Sequence, residues 1–293
     1  MNIKAFIKRM HNAMHDPERK KIKRIITEYF WLKLTKPLLA EQYFIKFLYR
    51  TDAGDIYNYI NTNRLNKKYW NINKDEFFPA FAIKNNFEAY LSQYNINVVK
   101  NLAYNHNALF FKDGILKLID SPEEFLNFLS DLPVKHAVFI KRKEDSFGGK
   151  DIFRVKIDEL KEDEILLEKI YNQVIKAGYI YQDEIVQHEE MNRLNPNCVN
   201  CVRVVTYTNK QHKSKILGVN QKTSLGNNYV DNISSGGGYI PVDISTGILR
   251  DKIYTPFVKG GKRYYKHPVT GIDIDGFEIP YFKEVKELAL KAA

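Results

Sequence analysis

Across residues 1–66, apolar side chains return at helical spacing, first Ile3, Phe6, Ile7 and Met10, then Ile22, Ile25, Ile26, Tyr29 and Phe30, with lysines and arginines between them. That recurrence predicts amphipathic helices. Residues 78–87 lead into a helical stretch at 88–94, and the short apolar run Ile96-Asn97-Val98-Val99 predicts a strand after it. Ser121-Pro122-Glu123-Glu124 then reads as a helix start: the serine caps, the proline suits the first turn, and the glutamates face the positive end of the dipole.

Past Leu132-Pro133 the period changes. Residues 137–141 and 152–155 read as strands joined by the turn-rich stretch 144–150, a hairpin-like flap. A helix over 164–177 and a strand over 178–186 complete the order strand, flap, strand, helix, strand. From Cys201 onward the chain reads as β-rich, interrupted by Ser234-Ser235-Gly236-Gly237-Gly238, until Pro280 introduces a last helix over 282–292.

Composition narrows this little. The 293 residues suffice for two lobes with separate cores, and 44% apolar with 27% charged residues is ordinary for a globular chain. A formal net charge of +10 favours polyanionic partners without choosing among nucleotides, nucleic acid and anionic surfaces. The charge is concentrated toward the N-terminal helices, and no base-stacking or base-reading motif accompanies it, so nucleic acid is not the expected partner. Those helices fit either packing with a solvated basic face or contact with an anionic membrane surface. Without an apolar run long enough for a membrane span or a signal sequence, the expected location is the cytoplasm, with the inner membrane face as the attachment surface. Cys198 and Cys201 form the only CxxC; with no second pair and a strand following, zinc and thioredoxin-like chemistry both give way to two reduced, structural thiols.

Four segments could carry chemistry. In the flap, Ser146, Gly148, Gly149 and Lys150 offer backbone N–H groups and a cation, with Lys141 on the preceding strand; phosphate binding and a plain hairpin turn both fit. The flap is not a Walker A loop, since Lys150 precedes Asp151 rather than Ser or Thr. The strand ending Gln182-Asp183-Glu184-Ile185-Val186-Gln187-His188 turns abruptly polar. Arg203 lies within Asn200-Cys201-Val202-Arg203-Val204-Val205-Thr206, where a buried guanidinium would need an anion: a structural carboxylate or a phosphate. Finally, Asp231-Asn232 before the glycine triplet are hard oxygen donors suited to Mg²⁺, or part of a solvent loop.

In this order, Lys141 with its glycine flap, the acidic strand exit to Gln187-His188, Asn200 and Arg203, Asp231-Asn232, His267-Pro268 and Ile279-Pro280 resemble the ATP-grasp superfamily. More narrowly, the chain is similar to the sugar-transfer and polysaccharide-associated branch related to glutamate ligases, over residues 78–281. The resemblance implies an α+β, two-lobed grasp with antiparallel sheets, preceded by an α-helical region. It implies a helical part at 1–76, a small α/β segment at 77–133, an N-terminal grasp lobe at 134–186 and a C-terminal lobe at 187–293. It further implies ATP and Mg²⁺ as cofactors. Lys84, Lys141, Ser146, Gly148, Gly149 and Lys150 would meet the phosphates, and Asp183, Glu184, Ile185 and Gln187 the adenosine. Asp231 and Asn232 would hold metal, while Arg203 and Asn200 would serve catalysis. The activity implied is a carboxylate–amine or carboxylate–thiol ligase working through an acyl phosphate on a small molecule or glycan precursor; a kinase of a sugar acceptor and a nucleotide-binding scaffold are the alternatives. Two departures stand out: Gln182 occupies a position where the family has glutamate, and no Glu-x-Asn, the family's metal pair, follows Pro280.

Overall fold

The predicted helix start at Ser121 shows how local chemistry fixes the elements. Ser121 adopts an extended backbone and its hydroxyl accepts from Glu124 N at 3.2 Å, with Pro122 in the first turn and Glu123 and Glu124 at the dipole's positive end. The computed structural model describes residues 3–70, 78–144 and 151–293. The chain divides into two units, Met1–Asp75 with Pro256–Lys262, and Glu76–Thr255 with Arg263–Ala293.

The first unit is helical. Helices α1 (Ile3–Met14), α2 (Ile22–Thr35), α3 (Pro37–Ala40) and α4 (Thr62–Trp70) are accompanied by short 3₁₀ turns. Its core gathers Ala13, Ile25, Leu32, Tyr43, Phe44 and Leu48, all buried. Two buried ion pairs brace it: Lys20 with Glu28 at 2.9 Å, and Arg50 with Asp16 at 2.6 Å. Each charge has further partners, Tyr43 Oη donating to Glu28 at 2.7 Å and Arg50 to Gly261 O at 2.8 Å, which is what makes burial of the charges tolerable.

The second unit opens with α5 (Phe78–Ala82) and α6 (Lys84–Ser92). There follow β1 (Ala103–His106), β2 (Leu109–Lys112), β3 (Ile115–Leu118), α7 (Pro122–Ser130), β4 (Val138–Arg142), β5 (Ile152–Val155), α8 (Ile157–Glu162), α9 (Glu164–Val174) and β6 (Tyr179–Asp183). The strands form one six-stranded sheet in the order β3-β2-β1-β6-β4-β5, with every adjacent pair antiparallel. The alternation of β4 and β6 assigns their faces: Val138, Ile140, Tyr179 and Tyr181 enter a core with Phe110, Phe125 and Phe128, while Phe139, Lys141, Ile180 and Gln182 take the opposite face.

The remainder comprises α10 (Glu189–Leu194), β7 (Val202–Thr208), β8 (Ser214–Ser224), β9 (Gly237–Pro241), β10 (Ile253–Tyr254), β11 (Arg263–Tyr264) and α11 (Phe282–Lys291). Its five strands make a second antiparallel sheet, β11-β10-β9-β8-β7. Val219, Ile240 and Ile253 on one face build a core with Leu249, Ile274 and Phe282. Two antiparallel sheets, each with its own core, give the expected α+β two-lobed architecture.

Three local expectations change. Residues 96–99 are not a strand: Asn95 takes φ +52° at the end of α6, and the run after it pairs with no strand and lines a cavity instead. The strand expected over 178–186 ends at Asp183. Arg203 is exposed rather than buried, because β7 alternates Val202 and Val204 inward with Arg203 and Val205 outward.

Candidate functional site

A cavity of about 560 Å³ lies within the second unit, a size ordinary for a small-molecule site. Apolar side chains make most of its wall: Phe87 and Leu91 from α6, Val98 and Val99 from the coil after it, Ile180 from β6, Val202 and Val204 from β7, and Val285 and Leu288 from α11. Lys84, Lys141, Gln182, Asn97 and the carboxylate of Glu88 add a polar lining, and Glu88 Oε2 accepts from Asn101 N at 3.0 Å. An apolar slot with a few polar groups is what a flat base joined to an anionic tail requires.

The two lysines, both half-buried, are held by neutral acceptors. Lys141 Nζ donates to the neutral amide oxygen of Gln182 at 2.7 Å, and Lys84 Nζ to the backbone carbonyl of Arg142 at 2.6 Å. Among the described residues no carboxylate pairs with either. Burial pushes both pKa values below the ordinary lysine value, and Lys141 is lowered further by the nearby Lys84 charge. Gln182 in turn donates to Asn101 Oδ1 at 2.9 Å. Two further buried polar atoms, Asn101 Nδ2 and Asn85 Oδ1, have no hydrogen-bond partner. A desolvated ammonium group without a carboxylate partner fits an anionic ligand.

A second cluster lies on the other sheet. Lys222 Nζ is 3.2 Å from Asn232 Oδ1 and 3.8 Å from Asp231 Oδ1, with both members of the ion pair buried. Asp231 Oδ2 also accepts from Cys201 N at 3.3 Å. The expected Mg²⁺ donors Asp231 and Asn232 are therefore engaged by an internal cation, and among the described residues no three His, Cys, Asp or Glu side chains converge as a metal site. The glycine triplet has a structural use here: a Cβ on Gly237 would sit 2.2 Å from Asp231 O, so Gly237 lets the chain's own backbone pass. Register puts Arg203 opposite Asn220, on the face that carries Lys222. No ion pair forms between Arg203 and another described residue.

The other expected residues divide by what they touch. Asp183 Oδ1 accepts from Lys135 N and Glu184 N, and the Glu184 carboxylate takes a two-pronged contact from Arg154 at 2.7 and 2.9 Å. Ile185 is partly exposed at the strand exit. Gln187 and Asn200 interlock: Asn200 N and Nδ2 donate to Gln187 Oε1, and Nδ2 also reaches Met191 O and Asn195 O. Thr223 Oγ1 donates to Asn200 Oδ1 at 2.7 Å, and buried His267, whose pKa burial lowers, closes the network on Ser224 O at 2.8 Å. These amides hold the segment between β6 and β7. Cys198 and Cys201 are free thiols, the first buried, where burial raises its pKa, and the second at an exposed position, where desolvation of the sulfur and then the Asp231 carboxylate push it up. Ser146, Gly148, Gly149 and Lys150 lie outside the described residues. The strands that flank them do pair as a hairpin, from Val138 opposite Val155 to Lys141 opposite Ile152.

Sequence reasoning did not single out Lys222 or Asn101. Lys222 had a signal: it interrupts Gln221-Lys222-Thr223-Ser224 at the buried end of an otherwise ordinary strand.

Two antiparallel sheets with separate cores, a β4–β5 hairpin and half-buried lysines facing an apolar slot define a two-lobed α+β protein. The family model for sugar-transfer associated ATP-grasp proteins matches residues 64–293, and the chain belongs to that family. The match begins earlier and ends later than the resemblance over 78–281, taking in α4 and α11. Family membership supports ATP-dependent, ligase-type activity in a sugar-transfer setting. No curated protein and no solved structure matches the chain.

Proposed function

We propose that the chain binds ATP in the cavity between β6 and β7 and uses it to join a carboxylate to an amine of a glycan precursor for cell-surface polysaccharide. The observation that supports this most is Lys141: a desolvated ammonium held by a neutral amide, beside a second cation, in a slot with apolar walls. A triphosphate supplies the negative charge that Gln182 does not.

On this reading Lys141 and Lys84 bind phosphate oxygens, Ile180, Val202 and Val204 pack against the base, and the backbone at Asp183, Glu184 and Ile185 meets its polar edge. Ser146, Gly148, Gly149 and Lys150 cover the phosphates. Arg203, exposed and unpaired by carboxylate, steadies the transferring phosphoryl group or the acceptor's carboxylate. Gln187 and Asn200 position the segment that carries Arg203. In the reaction a carboxylate oxygen displaces ADP from the terminal phosphorus, and the amine then displaces phosphate from the acyl carbon, losing a proton. No step is assigned to Mg²⁺ through Asp231 and Asn232, which Lys222 already engages.

ATP labelled at the γ-phosphorus, incubated with paired carboxylate and amine acceptors, tests the proposal. Labelled phosphate in solution with a new amide in the mass spectrum is the expected result. Label kept on the acceptor would favour phosphoryl transfer alone, and failure of the protein to retain ATP would contradict both.

A further inference from the structure

The first unit carries a surface that its own core does not explain. Along α2, Ile22, Ile26, Phe30 and Leu34 follow one another at intervals of four, so they share one face of the helix. All four are exposed, Phe30 at 61% and Leu34 at 84%, while Ile25, Glu28 and Leu32 of the same helix are buried. The ridge is about 18 Å long at 1.5 Å per residue. Ile7 and Met10 of α1 and Leu38 just after α2 are exposed as well, and Phe6 of α1 packs against Tyr29 of α2 with ring centroids 5.5 Å apart.

The exposed charges carried by α1 and α2 themselves have one sign, while the exposed carboxylate of Glu41, after α3, lies near Tyr29. Lys4 and Lys8 on α1 and Lys21, Lys23 and Lys33 at or on α2 are exposed. Neither helix presents an exposed carboxylate: α1 has no acidic residue, and the one acidic residue of α2, Glu28, is buried against Lys20, Arg24 and Tyr43. An apolar ridge whose exposed charges on its own two helices are all basic suits a surface that offers anionic headgroups above acyl chains.

We infer that the α2 ridge, with α1 beside it, is a docking surface for an anionic lipid bilayer: Ile26, Phe30 and Leu34 enter the acyl boundary and the flanking lysines meet the headgroups. This inference is independent of the nucleotide reading, because it uses no residue of the second unit.

Co-sedimentation of the full chain with phosphatidylcholine vesicles, with and without phosphatidylglycerol, tests it. The expected result is retention on the anionic vesicles that weakens with salt, and little on the neutral ones. Phe30→Asp with Leu34→Asp should lower the partition coefficient by about tenfold or more, since each buried side chain of this size is worth about that factor. Lys8→Glu with Lys23→Glu and Lys33→Glu should remove the preference for anionic vesicles while circular dichroism and ATP binding stay as in the parent. Wild-type protein that remains in the supernatant, or binds both vesicle types alike, would overturn the inference. So would a dimer in sedimentation velocity that Phe30→Asp with Leu34→Asp dissolves, because the ridge would then be covered by a second copy.

Discussion

Lys141, half-buried, and Lys222, buried, are both lysines on strands of the second unit, and their partners differ. Lys222 has a carboxylate, Asp231, with Asn232 beside it, and Asp231 is itself satisfied by Cys201 N. Lys141 has the amide of Gln182 and feels the like charge of Lys84. A buried cation with its anion supplied internally is a structural element. One without it costs stability in the free protein, and the cost is recovered when an anion arrives. On the proposed reading, this difference separates a lysine that supports the fold from one that meets a ligand, although both look alike as sequence letters.

Breaking the structural side should have the larger effect. Lys222→Ala leaves Asp231 buried without its cation and should lower stability by about 3 kcal/mol, read from urea unfolding. Lys222→Met with Asp231→Asn should recover most of that loss, because neither charge then remains buried alone. On the other side, Lys141→Met removes a half-buried charge with no anion, so the melting temperature should hold or rise, while ATP affinity in calorimetry falls about 100-fold, the worth of a charge-assisted contact.

Protonation sharpens the same contrast. In the folded protein the Lys141 and Lys84 values lie below those of the unfolded chain, so the folded state binds fewer protons between the two and stability rises with pH through that window. Below both values the whole penalty of the half-buried charge is present. Bound triphosphate restores the charged form, so ATP binding should take up protons at alkaline pH, and affinity should fall as pH rises through the depressed values. Calorimetry in buffers of different ionisation enthalpy measures the uptake. Gln182→Glu gives Lys141 an anion of its own, as Asp231 does for Lys222, and the uptake should then shrink toward zero.

Much of this was legible before the structure. The Ser121 cap, the β4–β5 hairpin and the β-rich second half follow from short-range chemistry that the local sequence states. What stayed hidden depended on partners distant in the chain. Residues 96–99 read as a strand by composition, yet strand formation needs a free edge, and this run instead walls a cavity with β6 and β7. Arg203 looked costly to bury because a strand's face is set by its sheet, and β7 turns that residue outward. The glycine triplet promised close approach to a ligand; at Gly237 the close neighbour is Asp231 O of the same chain. Lys222 could not be told from a surface lysine until the return of residues 231–232 placed an anion beside it.

Lysine acetylation followed by mass spectrometry, with and without ATP, addresses the central claim at the level of single residues. An amine with a depressed pKa reacts readily, and one paired with a carboxylate does not. The account predicts that Lys141 and Lys84 are modified in the free protein and protected by ATP about tenfold or more, in keeping with the affinity expected of charge-assisted contacts, while Lys222 stays slow in both samples. Equal labelling of Lys141 with and without ATP, or protection that falls on Lys222 instead, would contradict it.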